Sequence, residues 1–159
     1  MKILIISDTH GRIENLKMVL WQEKPLDLLI HLGDIEGDEK RIEMLADCPV
    51  KAVAGNNDFF SNLPGEREIR IGKYKVLLTH GHYYYVNAGI RYIKGAALDR
   101  GIDIAMFGHT HRPILEQDKG VTVLNPGSLS YPRQERRRPS YIVMELDENG
   151  EASFMIKYI

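Results

Sequence analysis

Lys2-Ile3-Leu4-Ile5-Ile6-Ser7-Asp8-Thr9-His10 is the stretch that decides the architecture. Its apolar, largely β-branched half reads as a strand buried on both faces, and its polar half starts where that strand ends. Residues 12–22 then place Ile13, Leu16, Val19 and Leu20 at helical spacing, and Pro25 bars any continuation. Leu26–His31 reads as a second buried strand, Asp38–Ala46 as a second helix with Ile42 and Leu45 inward, and Val50–Ala54 as a third strand. Alternation of this kind with short links means parallel pairing and right-handed crossovers.

Further along, the pattern changes. Glu66–Ile71 and Tyr74–Thr79 form a predicted hairpin turning at Gly72-Lys73. Residues 86–99 read as a helix carrying Val86, Ile90, Ile93 and Ala97, and Asp103–Phe107 as another buried strand. Pro113–Gln117 and Val121–Leu124 flank a turn at Asp118-Lys119-Gly120; Ser140–Leu146 and Glu151–Tyr158 flank one at Asn149-Gly150. The expected fold is α/β (α+β): two mixed β-sheets packed as a sandwich and flanked by helices, in one domain spanning residues 1–159.

Bulk composition narrows the function. Hydrophobic residues are 43% and charged residues 27% of the 159, enough apolar material for a core without staples. The formal net charge of −1 gives no whole-molecule field for gathering nucleic acid, so any attraction for phosphate must be local. The single cysteine, Cys48, excludes an internal disulfide and fits a reducing compartment. The apolar run Ile3–Ile6 is too short for a membrane span or a signal-peptide core, so a cytoplasmic protein is expected. There is no Walker loop, no G-x-G-x-x-G fingerprint and no nucleophile elbow.

Five polar clusters each follow a predicted strand: Asp8-Thr9-His10, Gly33-Asp34, Gly55-Asn56-Asn57-Asp58, His80-Gly81-His82 and Gly108-His109-Thr110-His111. Ligands of open α/β sheets bind where strand carboxyl ends converge, so these clusters are expected to assemble one site. Histidine with carboxylate suits first-row divalent ions. Asp8, His10, Asp34, Asn56, His80, His109 and His111 are too many for one tetrahedral ion and suit two ions sharing a carboxylate. The Asp-x-His and His-x-His spacings place both members on one side of an extended strand end. Two divalent ions outweigh the charges of Asp8, Asp34 and a bridging hydroxide by one unit, which favours an anionic phosphate. A pair of metals ~3.5–4 Å apart activates water and stabilises both oxygens of an in-line displacement.

In this order, the clusters resemble the signature of the calcineurin-like metallophosphoesterase superfamily. The form of the motifs is similar to its small bacterial and archaeal phosphodiesterases, which are related to the metal-site subunit of retromer. The resemblance runs from Asp8 to about Arg133. It implies a first metal on Asp8, His10, Asp34 and His111 and a second on Asp34, Asn56, His80 and His109, with Asp34 bridging. Manganese is the expected ion, with nickel, iron, cobalt and zinc as alternatives. Where many members carry a leaving-group histidine this chain has Asn57, which cannot donate a proton as an acid. General acid catalysis is typically worth ~10²–10⁴-fold, so the change favours phosphodiesters with easy leaving groups.

The expected activity is therefore a dinuclear phosphodiesterase in which a metal-bridging hydroxide attacks phosphorus and Asp34 and Asn57 serve the reaction. Asn57, His82 and Arg133 are the candidate contacts to a small phosphoester, nucleotide-like in the fullest reading. The alternatives are a phosphomonoesterase and a weak or inactive metal-binding scaffold. His31 reads as a support and Asp58 as a residue that orients a neighbour or caps a turn. Asn125-Pro126-Gly127-Ser128 resembles a family loop near the site, though its bare chemistry says only "turn". Tyr83-Tyr84-Tyr85 suits a helix entrance or a homodimer contact better than a base-stacking platform. The basic run Arg133–Arg138 reads as a solvated loop, with Arg133 nearest the site.

Overall fold

In a computed structural model describing residues 1–118 and 120–159, the chain forms ten strands, three helices and two 3-10 turns. Strand β1 (Lys2–Ile6), helix α1 (Glu14–Glu23), strand β2 (Leu28–His31), helix α2 (Glu39–Ala46) and strand β3 (Val50–Ala52) form the expected parallel unit. A hairpin of β4 (Glu66–Ile71) and β5 (Tyr74–Thr79) follows, then helix α3 (Arg91–Asp99) and strand β6 (Ile104–Met106). Strands β7 (Pro113–Asp118), β8 (Val121–Pro126), β9 (Ser140–Leu146) and β10 (Ala152–Tyr158) complete the chain. The expected turn at Asp118-Lys119-Gly120 involves Lys119, outside the described residues.

The strands divide into two five-stranded sheets, β10-β9-β1-β2-β3 and β4-β5-β6-β8-β7. Each is mixed: β1, β2 and β3 run parallel, as do β5, β6 and β8, and antiparallel strands lie at one edge of the first sheet and both edges of the second. Period-two alternation sorts the side chains into layers. Ile3, Ile5, Ile30 and Met144 meet Val76, Leu78, Met106 and Leu124 between the sheets. Leu4, Ile6 and Leu29 face the other way, onto Leu16, Val19, Leu20 and Ile42 of α1 and α2. On the second sheet's outer face Leu77, Ala105 and Val123 pack on Ile93 and Ala97 of α3. Pairing of β1 with β2 and β9 on its two edges, and packing on both its faces, fix where its carboxyl end emerges.

One expected element is split. The helix anticipated over residues 86–99 begins only at Arg91, preceded by 3-10 turns at His82–Tyr84 and Val86–Ala88. Tyr85 sits in the left-handed region at φ 52°, and Gly89, at φ 121° and ψ 175°, separates the second turn from α3. Neither geometry continues an α-helix.

A buried acid locks α1 to the first sheet. Glu23, 4% exposed, accepts from Lys157 Nζ at 2.8 and 3.1 Å and from Tyr141 Oη at 2.8 Å, and lies 2.9 Å from Lys2 Nζ. Burial alone raises its pKa, but the bonds from Lys157, Lys2 and Tyr141 prevail and bring it from 4.5 to about 2. Its ionised form therefore stabilises the fold fully above the unfolded value, and that contribution drains as pH falls toward the folded one. Glu23→Gln is expected to lose about 1–3 kcal/mol at pH 7, with the gap to the parent narrowing on acidification. Urea unfolding of both proteins at neutral and acid pH checks this; a gap that stays constant assigns the loss to packing instead.

Candidate metal centre

The five clusters converge on one edge of the sandwich, but not on extended strand ends. Strands β1 and β6 stop at Ile6 and Met106, and the candidates beyond them are left-handed: Asp8 at φ 55°, His10 at 47°, His109 at 68° and His111 at 56°. Asp34 joins them at 56°. The expectation that x-spaced pairs face one way along extended backbone is thus corrected; tight left-handed bends aim them. Each such residue costs roughly 1–2 kcal/mol, and backbone strain of this kind persists only where the surroundings enforce it.

Hydrogen bonds supply the enforcement. Asp8 N donates to Gly33 O (3.0 Å), His10 N to Asp34 O (2.9 Å) and Gly11 N to Ile35 O (3.1 Å), zipping the loops after β1 and β2 together. The buried Asp58 carboxylate accepts from the amides of Asp34, Glu36 and Gly55 at 2.7 Å and of Ile35 at 2.9 Å, joining the loops after β2 and β3. His31 accepts from Gly33 N at Nδ1 and so donates from Nε2 to Thr9 Oγ1 (3.0 Å); burial holds it neutral, its pKa pushed down to about 3. These are the supporting roles expected of Asp58 and His31. The loops also approach too closely for a side chain: a Cβ on Gly55 would lie 2.1 Å from Asp34 Oδ1, and one on Gly108 2.0 Å from Ser7 Oγ.

Three imidazoles are held in one tautomer. His10 Nδ1 meets Glu36 Oε1, His80 Nδ1 the carbonyl of Leu32 and His111 Nδ1 that of Tyr131, each at 2.7 Å. All three partners only accept, so each Nδ1 carries the hydrogen and each Nε2 turns a lone pair inward. Those lone pairs face other lone pairs. His111 Nε2 lies 3.0 Å from Asp8 Oδ1 and 3.2 Å from His10 Nε2, and His80 Nε2 lies 3.1 Å from Asn56 Oδ1 and 3.4 Å from Asp34 Oδ2. Asp8 Oδ1 is buried without a hydrogen-bond donor among the described residues. Acceptors at such distances repel unless a cation lies between them.

The donor set therefore fits metal. One nitrogen or oxygen from each of Asp8, His10, Asp34 and His111 lies within 4.8 Å of all the others, and Asn56 and His80 extend the cluster from Asp34. Where a proton is the sole cation available, burial favours neutral His80, yet Asp34 and Asp8 outweigh burial and raise its proton affinity. Burial likewise raises Asp34, while bonds from His80 and Asn57 more than reverse it and hold its carboxyl below the usual range. His109 gives its backbone amide to Asp8 Oδ2 (3.1 Å), and its Nε2 is engaged by the Asn87 carboxamide at 2.8 Å, which leaves Nδ1 as the remaining ring nitrogen. Burial and the neighbouring His80 lower its proton affinity.

The candidate substrate contacts separate. Asn57 turns to Asp34, its amide donating to Oδ1 at 2.9 Å and its Nδ2 to Oδ2 at 2.7 Å. His82 packs on Tyr83 at 4.0 Å between ring centres, 5.5 Å from His80, with a buried Nδ1 that has no partner among the described residues. Arg133 lines a cleft of about 660 Å³ together with His10 and His111. Tyr83 and Tyr85 are exposed, while Tyr84 Oη bonds Glu66.

Several working residues escaped sequence reasoning. Glu36 orients His10, Asn87 orients His109, and the loop after β8 braces the whole edge. Ser128 Oγ donates to Asp8 O at 2.8 Å, Ser130 Oγ to Thr9 O at 2.8 Å, and Asn125 Nδ2 to Gly108 O at 2.6 Å. Glu36 repeats the two-residue spacing from Asp34, the one signal that pointed to it. Asn87 carries no sequence signal, and Ser128 is marked only through the resemblance of its segment to a family loop near the site.

Residues 1–149 match the family model of the calcineurin-like phosphoesterase superfamily domain. A probable metallophosphoesterase of Bacillus subtilis, YsnB, is 35% identical over 151 residues, covering 94% of this chain and 87% of that protein. The phosphodiesterase YfcE of Escherichia coli is 29% identical over 157 residues, covering 84% and 82%. Among solved structures, a predicted phosphoesterase from Streptococcus pneumoniae superposes with a TM-score of 0.79 at 26% identity, covering 98% of this chain and 97% of that one. Zinc-complexed Vps29 from Entamoeba histolytica reaches 0.80 at 21% identity with 99% of both chains covered, a likeness of fold.

Glu36→Ala removes the acceptor that orients His10 and is expected to weaken divalent-ion binding by roughly 10–100-fold without unfolding the protein. Calorimetric titration of metal-stripped parent and variant, with thermal melts of both, measures this; unchanged affinity removes Glu36 from the centre.

Proposed function

We propose, since the chain belongs to the calcineurin-like phosphoesterase superfamily, that it is a phosphodiesterase working with two divalent cations, manganese first among them. The observation that carries this reading is the set of inward Nε2 lone pairs opposed to carboxylate oxygens across 3.0–3.4 Å. Asp8, His10, Asp34 and His111 would hold one cation; Asp34, Asn56, His80 and His109 would hold the other. Nickel, iron, cobalt and zinc suit the same nitrogen and oxygen donors. Bound divalent ions supply an activated water and positive charge for the phosphate oxygens.

The chain's own residues position and select. Asp34 touches both lobes, 3.8 Å from His10 Nε2 and 3.4 Å from His80 Nε2, so its loss should remove both cations. Asn57 braces Asp34 and offers its carboxamide, not an acidic proton, to a bound phosphate. The departing alcohol therefore leaves without a protein acid at this position, which favours diesters with good leaving groups. His82 and Arg133 flank the centre as phosphate contacts. A small, nucleotide-like phosphoester is the substrate class that suits this site.

Asp34→Ala is expected to abolish turnover, a loss of roughly 10³-fold or more. The assay is hydrolysis of bis(4-nitrophenyl) phosphate beside 4-nitrophenyl phosphate, on metal-stripped protein refilled with Mn²⁺. Diester cleavage that requires metal supports the reading; monoester preference makes the chain a phosphomonoesterase. Two bound metals with no turnover of either ester make it a scaffold. Activity is also expected to fade below about pH 6, where protons compete for the ligand nitrogens; a rate unchanged down to pH 5 argues against histidine ligation.

A further inference from the structure

We infer that the arginine-lined side of the cleft binds a second phosphate of the substrate, so that the preferred diester carries an additional phosphate group; this rests on the phosphodiesterase reading above. Arg112, Arg133 and Arg137 line the cleft that His10 and His111 open into. Two of these are tied directly to the site. Arg133 N donates to His111 O at 3.0 Å, and Arg112 Nε donates to Arg133 O at 3.2 Å. Arg12 adds a fourth cation: its guanidinium lies 4.6 Å above the ring of Tyr131, which itself stands edge-on to His10 at 5.3 Å.

What sets these cations apart is where they gather, at one cleft beside the metal centre. Among the described residues, none of Arg12, Arg112, Arg133 and Arg137 has a carboxylate within 4.0 Å. Lys2, Lys73, Lys75, Lys94, Arg100 and Lys157 all do. Glu36, the one acid lining the cleft, is engaged by His10. On a chain of net charge −1, unpaired guanidinium groups gathered at one cleft amount to a local field for anions. The field is also one-sided. The hollow beyond Glu36, beside Asn57, is lined by Phe59, Phe60 and Glu39 and by no lysine or arginine.

Size favours more than one phosphate. About 660 Å³ lies within the range that holds a whole small-molecule ligand, far beyond what one phosphate fills. Guanidinium forks match phosphate oxygens two at a time, and the Arg112 guanidinium is pre-positioned by its bond to Arg133 O. The additional phosphate takes no part in the chemistry. Water oxygen bonds to the scissile phosphorus, the P–O bond to the leaving group breaks, and the leaving group departs with the electron pair as a proton passes to solvent.

The test compares thymidine 5′-(4-nitrophenyl phosphate) with the same compound bearing a 3′-phosphate, on Mn²⁺-loaded protein. The parent is expected to favour the phosphorylated probe by roughly 10-fold or more in kcat/KM, mostly through KM. Arg112→Ala/Arg137→Ala is expected to bring the two probes within about 2-fold, whereas Arg136→Ala/Arg138→Ala, removing equal charge away from the cleft, keeps the preference. Calorimetric binding of thymidine 3′,5′-bisphosphate against thymidine 5′-phosphate gives a readout independent of turnover and should lose its preference in the same variant. A parent without preference, or a cleft variant that retains it, overturns the inference. If neither probe is cleaved, the phosphodiesterase reading fails and binding alone decides: a bisphosphate preference lost with the cleft arginines sustains the anion site, and its absence overturns it.

Discussion

Three imidazoles donate outward and present bare nitrogens inward, and the edge of the sandwich is organised around keeping them so. A neutral histidine has one hydrogen to place, and giving it to Glu36, Leu32 or Tyr131 commits the other nitrogen to the interior. Two of the acceptors are backbone carbonyls, so the orientation of His80 and His111 is as rigid as the strands and loops carrying them. Opposed to Asp8 and Asp34, those nitrogens form a cage of negative potential that a divalent ion relieves. The affinity for metal is thus prepared before any ion arrives.

Rigidity of that kind needs a stiff base. The central parallel strands β1, β2, β5, β6 and β8 are buried between the opposite sheet on one side and α1 and α2 or α3 on the other. Their ends cannot drift, and the loops that leave them are cross-tied by Asp58, His31 and Ser128. Left-handed Asp8, His10, Asp34, His109 and His111 would relax if those ties were cut, because each has a lower-energy conformation available. Stability in the core is what permits strain at the edge.

Much of this was legible in the sequence, for particular reasons. Period-two and continuous apolar runs marked the strands, and Gly72-Lys73 marked a hairpin whose observed bounds agree with those expected. Glycine beside Asp, Asn and His marked the loops at which Asp8, His10, Asp34 and His111 lie together. What escaped notice depends on tertiary placement. Tyr85 and Gly89 break an apparently helical run, since periodicity reports which face is buried and not where the backbone turns over. Glu23 reads as a solvated helix residue, and only the approach of Lys2, Tyr141 and Lys157 from three strands makes it a buried anchor. Asn87 and Ser128 work across 22 and 120 residues of chain, separations over which local sequence carries no information.

That last separation bears on the chain's synthesis. Asp8 and His10 are made more than a hundred residues before the segment that braces them, from Asn125 at the end of β8 to Tyr131. Its partner strand β9, which flanks β1, follows later still. A growing chain can form the β1–β2–β3 unit early, but the tie to Asp8 and the acceptor that orients His111 are not yet made. Contacts this distant in sequence close last, after the loop entropy between them has been overcome. The ordered ligand set is accordingly completed only when the segment beyond β8 has been made and docked, so the geometry that selects an ion belongs to the finished fold.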